Sequence, residues 1–172
     1  MNQTRLYNND IPGYMTESEL EQIAVWAINI PKNGIVLEFG SFKGRSAICW
    51  AMNCDPSVTI YCVDRFDREY ENIFKEHTSK YSNIIPIKGN SPHIKYSGGP
   101  VDLFFMDACH TNPRCMSNLN FYKQFMKPDG IMAGHDYNPS WPDVVKSVDL
   151  FSKQQNMMLT LYEGTGLWSM KK

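Results

Sequence analysis

The chain has 172 residues, of which 42% are apolar and 20% charged. That is one domain's worth of sequence with enough apolar surface for a core that needs no disulfide staples, and it excludes a disordered charged tail, a collagen-like repeat or a coiled coil. Seventeen basic residues against eighteen acidic ones leave a net charge of −1, so no overall field attracts phosphate backbones or anionic lipid, and neither a nucleic-acid nor a membrane partner is expected.

Residues 1–15 are polar and turn-rich and read as an N-terminal arm, with 16–172 as a single domain. The first six residues lack the apolar run of a signal peptide. The five cysteines (Cys49, Cys54, Cys62, Cys109, Cys115) are odd in number and form no CxxC pair, which suggests a reducing compartment and a cytoplasmic protein. Thr16-Glu17-Ser18-Glu19 is a capping box, and the helix it starts carries Leu20, Ile23, Ala24, Ala27 and Ile30 on one stripe before Pro31.

From there short apolar runs alternate with helical segments. The runs fall at 35–39, 58–63, 84–87, 101–106 and 130–134. Helices are expected to open at Asn112-Pro113, with Leu119, Tyr122, Phe125 and Met126 on one side, and at Ser140 or Pro142. Near-continuous apolar strands between helices imply a parallel sheet covered on both faces. Two further strand-like stretches, Met157 to Leu161 and Leu167 to Met170, flank Glu163-Gly164-Thr165-Gly166 and predict an antiparallel hairpin. The expected fold is therefore α/β, a Rossmann-like three-layer sandwich whose mostly parallel seven-stranded sheet ends in a C-terminal antiparallel hairpin.

Ligands of open α/β sheets bind beyond the carboxyl ends of the strands. The loop there, Glu38-Phe39-Gly40-Ser41-Phe42-Lys43-Gly44-Arg45-Ser46, follows a strand and opens a helix. It fits neither a dinucleotide fingerprint nor a phosphate-binding P-loop, because Phe42 and Arg45 stand where the former needs glycine and no lysine follows Gly44. Asp64 ends the second run, where a carboxylate accepts from ribose hydroxyls or caps a helix. Asn90 and Ser91 end the third, as an adenine edge or a plain turn.

The ordered set Glu38-x-Gly40-x-x-x-Gly44-x-Ser46, Asp64, Asp107-Ala108-Cys109-His110, Lys127-Pro128-Asp129-Gly130 and Gly134-His135-Asp136-Tyr137 resembles the class I S-adenosylmethionine-dependent methyltransferases. More narrowly it resembles the small-molecule O-methyltransferases related to macrocin O-methyltransferase (methyltransferase domain family 24). The resemblance spans roughly residues 31–170 and implies S-adenosylmethionine as cofactor. Gly40, Ser41, Gly44 and Ser46 would form its loop, with Glu38 near the ammonium group, Asp64 on the ribose, Asn90 and Ser91 beside adenine, and Asp107 also among the cofactor-binding residues.

Methyl transfer to a hydroxyl needs that hydroxyl activated. An imidazole such as His110 supplies a base, and a divalent cation lowers the hydroxyl's pKa directly. Asp107 and Asp136 end neighbouring strands, with His135 beside them, so the expected catalytic residues are His110, Asp107 and His135 and the expected metal ligands Asp107, His135 and Asp136. The resemblance makes the Asp107 position a metal ligand, the His110 position the base and the Asp136 position a second ligand. The family's carboxylate before Asp136 is His135 here, which shifts the site from Mg²⁺ toward softer first-row metals or toward no metal. The expected activity is O-methylation of a small-molecule acceptor, a sugar or glycosylated metabolite, and a second copy of the chain could complete the pocket as a homo-oligomer. Two alternatives stay open: a metal-dependent hydroxylase-like enzyme on the same fold, and a non-catalytic nucleoside-cofactor-binding module. Tyr137, Trp141 and Trp168 are candidates for the acceptor pocket.

Overall fold

The capping box forms as expected. In the computed structural model, which describes residue 7 and residues 10–172, the Glu19 amide donates to Thr16 Oγ1 (3.4 Å) and the Thr16 amide donates to Glu19 Oε2 (2.8 Å). Two donors that a helix start leaves open are thereby satisfied. The helix, α1 (Glu17–Ile28), buries Leu20, Ile23, Ala24 and Ala27 completely and ends ahead of Pro31. The arm read at 1–15 lies partly outside the described residues.

Strands and helices then alternate: β1 (Ile35–Phe39), α2 (Arg45–Asn53), β2 (Thr59–Asp64), α3 (Arg68–Thr78), β3 (Ile84–Lys88), β4 (Val101–Met106), α4 (Arg114–Lys123), β5 (Met126–Gly134) and α5 (Pro142–Gln155). The hairpin β6 (Met158–Leu161) and β7 (Trp168–Lys171) completes a seven-stranded sheet in the order β3-β2-β1-β4-β5-β7-β6. β1 to β5 pair in parallel, while β7 runs antiparallel between β5 and β6. This is the Rossmann-like, mostly parallel seven-stranded sheet with a C-terminal antiparallel hairpin that the alternation predicts.

Successive residues of the central strands feed opposite faces, the period-two geometry of a strand. Val36 and Phe105 pack with Leu20, Ile23, Ile48, Trp50 and Phe74 from α1, α2 and α3. Leu37 and Phe104 pack with Leu119, Tyr122, Val148 and Phe151 from α4 and α5. Each fully buried Leu or Phe contributes about 1.5–3 kcal/mol, and the two clusters hold the strand ends in a fixed row.

β5 departs from the expectation. The sequence predicts this strand only from the apolar run at 130–134, after Lys127-Pro128-Asp129, and places Met126 on the preceding helix's apolar side. Instead β5 begins at Met126, opposite Val101, and the register then jumps so that Leu103 faces Ile131. Pro128 has no N–H for the ladder, and Lys127 Nζ is drawn to both Asp102 oxygens (2.7 and 2.8 Å), so the intervening residues bulge out. No helix among the described residues is long and apolar enough to cross a membrane.

Candidate active site at the strand ends

The ladder continues one residue past β4 and past β5. The Asp107 amide donates to Phe39 O (2.8 Å) and the His135 amide to Met106 O (3.0 Å), which sets the residues after β4 and β5 side by side. Trp168, fully buried, donates from Nε1 to His135 O (3.1 Å). Asp136 then takes a left-handed conformation (φ 64°), a strain that aspartate tolerates better than most residues.

His135 lies among three carboxylates. Its Nδ1 is 3.4 Å from Asp107 Oδ1 and 3.2 Å from Asp136 Oδ1, and its Nε2 is 2.9 Å from Glu19 Oε1. Burial opposes its charge, but the bonds to Asp107, Asp136 and Glu19 outweigh burial and push the pKa up to about 12. Burial would also raise Glu19, yet His135 and the amides of Thr16 and Gly166 hold it down at about 2. Burial raises the Asp107 carboxyl despite His135, whereas for Asp136 the two histidines overcome burial and lower it.

The second oxygen of Asp136 serves His110: Nε2 and Oδ2 are 2.6 Å apart. The His110 ring stacks on Trp141, with centroids 4.1 Å apart and planes at 22°. A carboxylate at one edge and an indole on one face fix the ring. With its proton on Nε2, donated to Asp136, the Nδ1 lone pair is the basic atom.

These residues and the glycine loop line one cavity of about 580 Å³. Gly40, Ser41, Phe42, Lys43, Ser46, Asp64, Asp107, His110, His135, Asp136 and Trp141 all border it. Asp64 accepts from the amides of Phe42 through Oδ2 and Phe66 through Oδ1 (both 3.0 Å), and each oxygen keeps a second lone pair for a ligand. Tyr14 stacks on Phe42 (5.8 Å), which meets Tyr70 edge-on (4.8 Å), so the mouth has aromatic walls. Arg45 Nη1 donates to Ile11 O (2.9 Å) and ties the segment before α1 to this loop.

A family model described as a methyltransferase domain (family 24) matches residues 37–137, the stretch that carries the loop, Asp64 and the cluster. The chain belongs to this methyltransferase domain family. No curated protein is similar enough in sequence to match. Solved structures share the fold. An O-methyltransferase from Bacillus cereus in complex with SAH superposes with a TM-score of 0.75 at 13% identity, covering 95% of this chain and 85% of that one. A precorrin-6y C5,15-methyltransferase from Geobacter metallireducens gives 0.73 at 10% identity, covering 97% and 93%. A SAM dependent methyltransferase from Aquifex aeolicus gives 0.65 at 16% identity, covering 91% and 97%.

Within this methyltransferase domain, the expected residues divide. Gly40, Ser41, Ser46, Asp64, Asp107, His110, His135 and Asp136 meet at the cavity. Gly44 is the left-handed cap of α2 (φ 92°), outside the cavity lining. Asn90 accepts from Arg114 (3.2 Å) and Ser91 is buried against Asn118, both also outside the lining. Glu38 points into the protein: it accepts from Trp50 Nε1 (3.3 Å) and Cys62 Sγ (3.6 Å) and is fully buried. Tyr137 borders a second groove along α5, and Trp168 is core. Tyr14, Phe42, Tyr70 and the Glu19 link were not expected as site features; only a capping-box reading of Glu19 was available from sequence.

Burial pushes the Glu38 carboxyl up to about 7, against the Ser46 and Ser41 hydroxyls and Trp50 and with help from Asp107. A carboxyl raised in the folded state stabilises fully below its unfolded pKa near 4.5, and that stability is lost as pH rises through about 7. Urea midpoints of the wild type are therefore expected to fall between pH 4.5 and 7. In Glu38→Gln that limb should flatten, leaving the His135 contribution, which declines only above its unfolded value near 6.5. Parallel profiles for the two proteins would show that Glu38 ionises normally.

Among the described residues, Asp107, His135 and Asp136 are the one group of three or more His, Cys, Asp or Glu side chains whose donor atoms all lie within 4.8 Å of one another. Two carboxylate oxygens and one imidazole nitrogen fit a first-row divalent ion better than Mg²⁺, which prefers oxygen. The ion would compete with the proton on His135 Nδ1.

Proposed function

We propose that this methyltransferase domain binds S-adenosylmethionine against the glycine loop of the cavity and methylates a hydroxyl of a small-molecule acceptor, in the class of sugars or glycosylated metabolites. The observation that carries this reading is the His110–Asp136 pair, which opens into the same cavity as Gly40, Ser41 and Asp64. Asp64 would hold the ribose through its remaining lone pairs, and Gly40 with Ser41 would border the methionine end. The loop's lack of a phosphate cradle suits a cofactor without phosphate. Bound there, the cofactor supplies a methyl group activated by a sulfonium.

His110 Nδ1 takes the acceptor's hydroxyl proton as the oxygen forms its bond to carbon. The sulfonium would give up its methyl group and leave as a neutral thioether, and Asp136 would balance the imidazolium formed on His110. Trp141 keeps the ring oriented, and Tyr14, Phe42 and Tyr70 offer apolar walls. We also propose a divalent ion held by Asp107, His135 and Asp136, which would lower the acceptor hydroxyl's pKa and orient it.

Calorimetric titration with S-adenosylhomocysteine, with Mn²⁺ and again with EDTA, tests the reading. Saturable binding with one site per chain in both conditions is expected. Absence of heat in either condition, from protein shown to be folded, would overturn it.

A further inference from the structure

We infer that Glu19, the capping residue of α1, is a positioning residue for the ion site. This rests on the divalent-ion reading above. Its carboxylate is shared between two jobs. Oε2 accepts from the Thr16 amide (2.8 Å) and Thr16 Oγ1 (3.0 Å), closing the helix start. Oε1 meets His135 Nε2 (2.9 Å) and accepts from the Gly166 amide in the hairpin turn (3.0 Å).

The consequence for His135 is a fixed proton and a fixed ring. A carboxylate acceptor at Nε2 keeps that nitrogen protonated, so Nδ1 is the atom left to offer a lone pair. Nδ1 is also the atom nearest Asp107 and Asp136. A carboxylate behind a histidine ligand orients the ring and raises its basicity. The side chain that does so here comes from 116 positions earlier in the chain. It is itself pinned by the cap and by Gly166, whose amide neighbours the Tyr137 amide bond to Gly166 O (2.9 Å). The N-terminal helix, the hairpin turn and the strand end therefore meet on one carboxylate with 7% side-chain exposure.

The test is Mn²⁺ binding to EDTA-stripped protein, read from the electron paramagnetic resonance signal of free Mn²⁺, with thermal unfolding recorded in parallel. Glu19→Ala should weaken Mn²⁺ binding by about 10–100-fold. Glu19→Gln keeps an oxygen acceptor without the charge and should recover part of that loss; it also serves if the alanine variant does not fold. Thr16→Ala removes a cap hydroxyl but leaves the Glu19–His135 contact, so it should lower the unfolding temperature with wild-type Mn²⁺ affinity. Wild-type affinity in both Glu19 variants would overturn the inference, as would an equal loss in Thr16→Ala, which would make the effect one of helix anchoring. A wild type that binds no Mn²⁺ would remove the ion reading and this inference with it, an outcome separate from the other two.

Discussion

Replacing His110 by alanine is expected to cut methyl transfer by about 10²–10⁴-fold, the usual contribution of a positioned general base. That corresponds to roughly 3–5 kcal/mol of transition-state free energy. S-adenosylhomocysteine affinity should stay at the wild-type level, because the proposed role of His110 is toward the acceptor and that of holding the cofactor's ribose falls to Asp64. Thermal stability should also hold, since the His110 side chain is 37% exposed and leaves no core void. The measurement is turnover on an acceptor found by screening, beside calorimetry on the same preparations. Unchanged turnover would mean the hydroxyl proton leaves by another route, through the ion or to solvent, and would remove His110 from the chemistry.

Gly40→Ala should be the most damaging conservative change in the loop. Gly40 adopts φ 98°, a conformation side chains rarely take, and a Cβ there would lie 2.2 Å from Asp107 O and 2.6 Å from Ala108 Cβ. Neither neighbour is a flexible side-chain end. The Asp107–Ala108 backbone would have to retreat, or β1's loop would have to unwind. Overpacking and backbone strain together cost roughly 3–5 kcal/mol. The same shift would carry Asp107 away from His135, so cofactor and ion affinities should fall as well. Gly164→Ala is the comparison: it has φ 73° but nothing within 4 Å of a new Cβ, and should cost only about 1–2 kcal/mol of conformational strain. Equal losses in the two variants would show that conformation alone, not contact with Asp107, makes Gly40 necessary.

Much of the architecture was legible because it is local. The Thr16/Glu19 cap, the first four apolar runs and the hairpin stretches each act within a few residues, and each formed close to where its pattern lay. The general rule that open α/β sheets bind ligands beyond their strand ends singles out Asp64, Asp107, His110, His135 and Asp136 as candidates, and all five border one cavity. The misreading at Lys127–Gly130 came from a non-local cause: Asp102 on the adjacent strand holds Lys127, and a bulge absorbs Pro128.

What the sequence determined by itself was the order of elements, the two-faced sheet and the chemistry available at its edge, since these follow from periodicity and residue type. Tertiary structure alone decided how that chemistry is connected. Only packing could turn Glu38 inward against Trp50 and Cys62, out of the cavity lining. Only the fold could bring Glu19 to His135 and give Asp136 one oxygen for each histidine. Hydrogen bonds and ion pairs depend on distances of a few ångströms between atoms far apart in the chain, and no spacing along the chain encodes those distances.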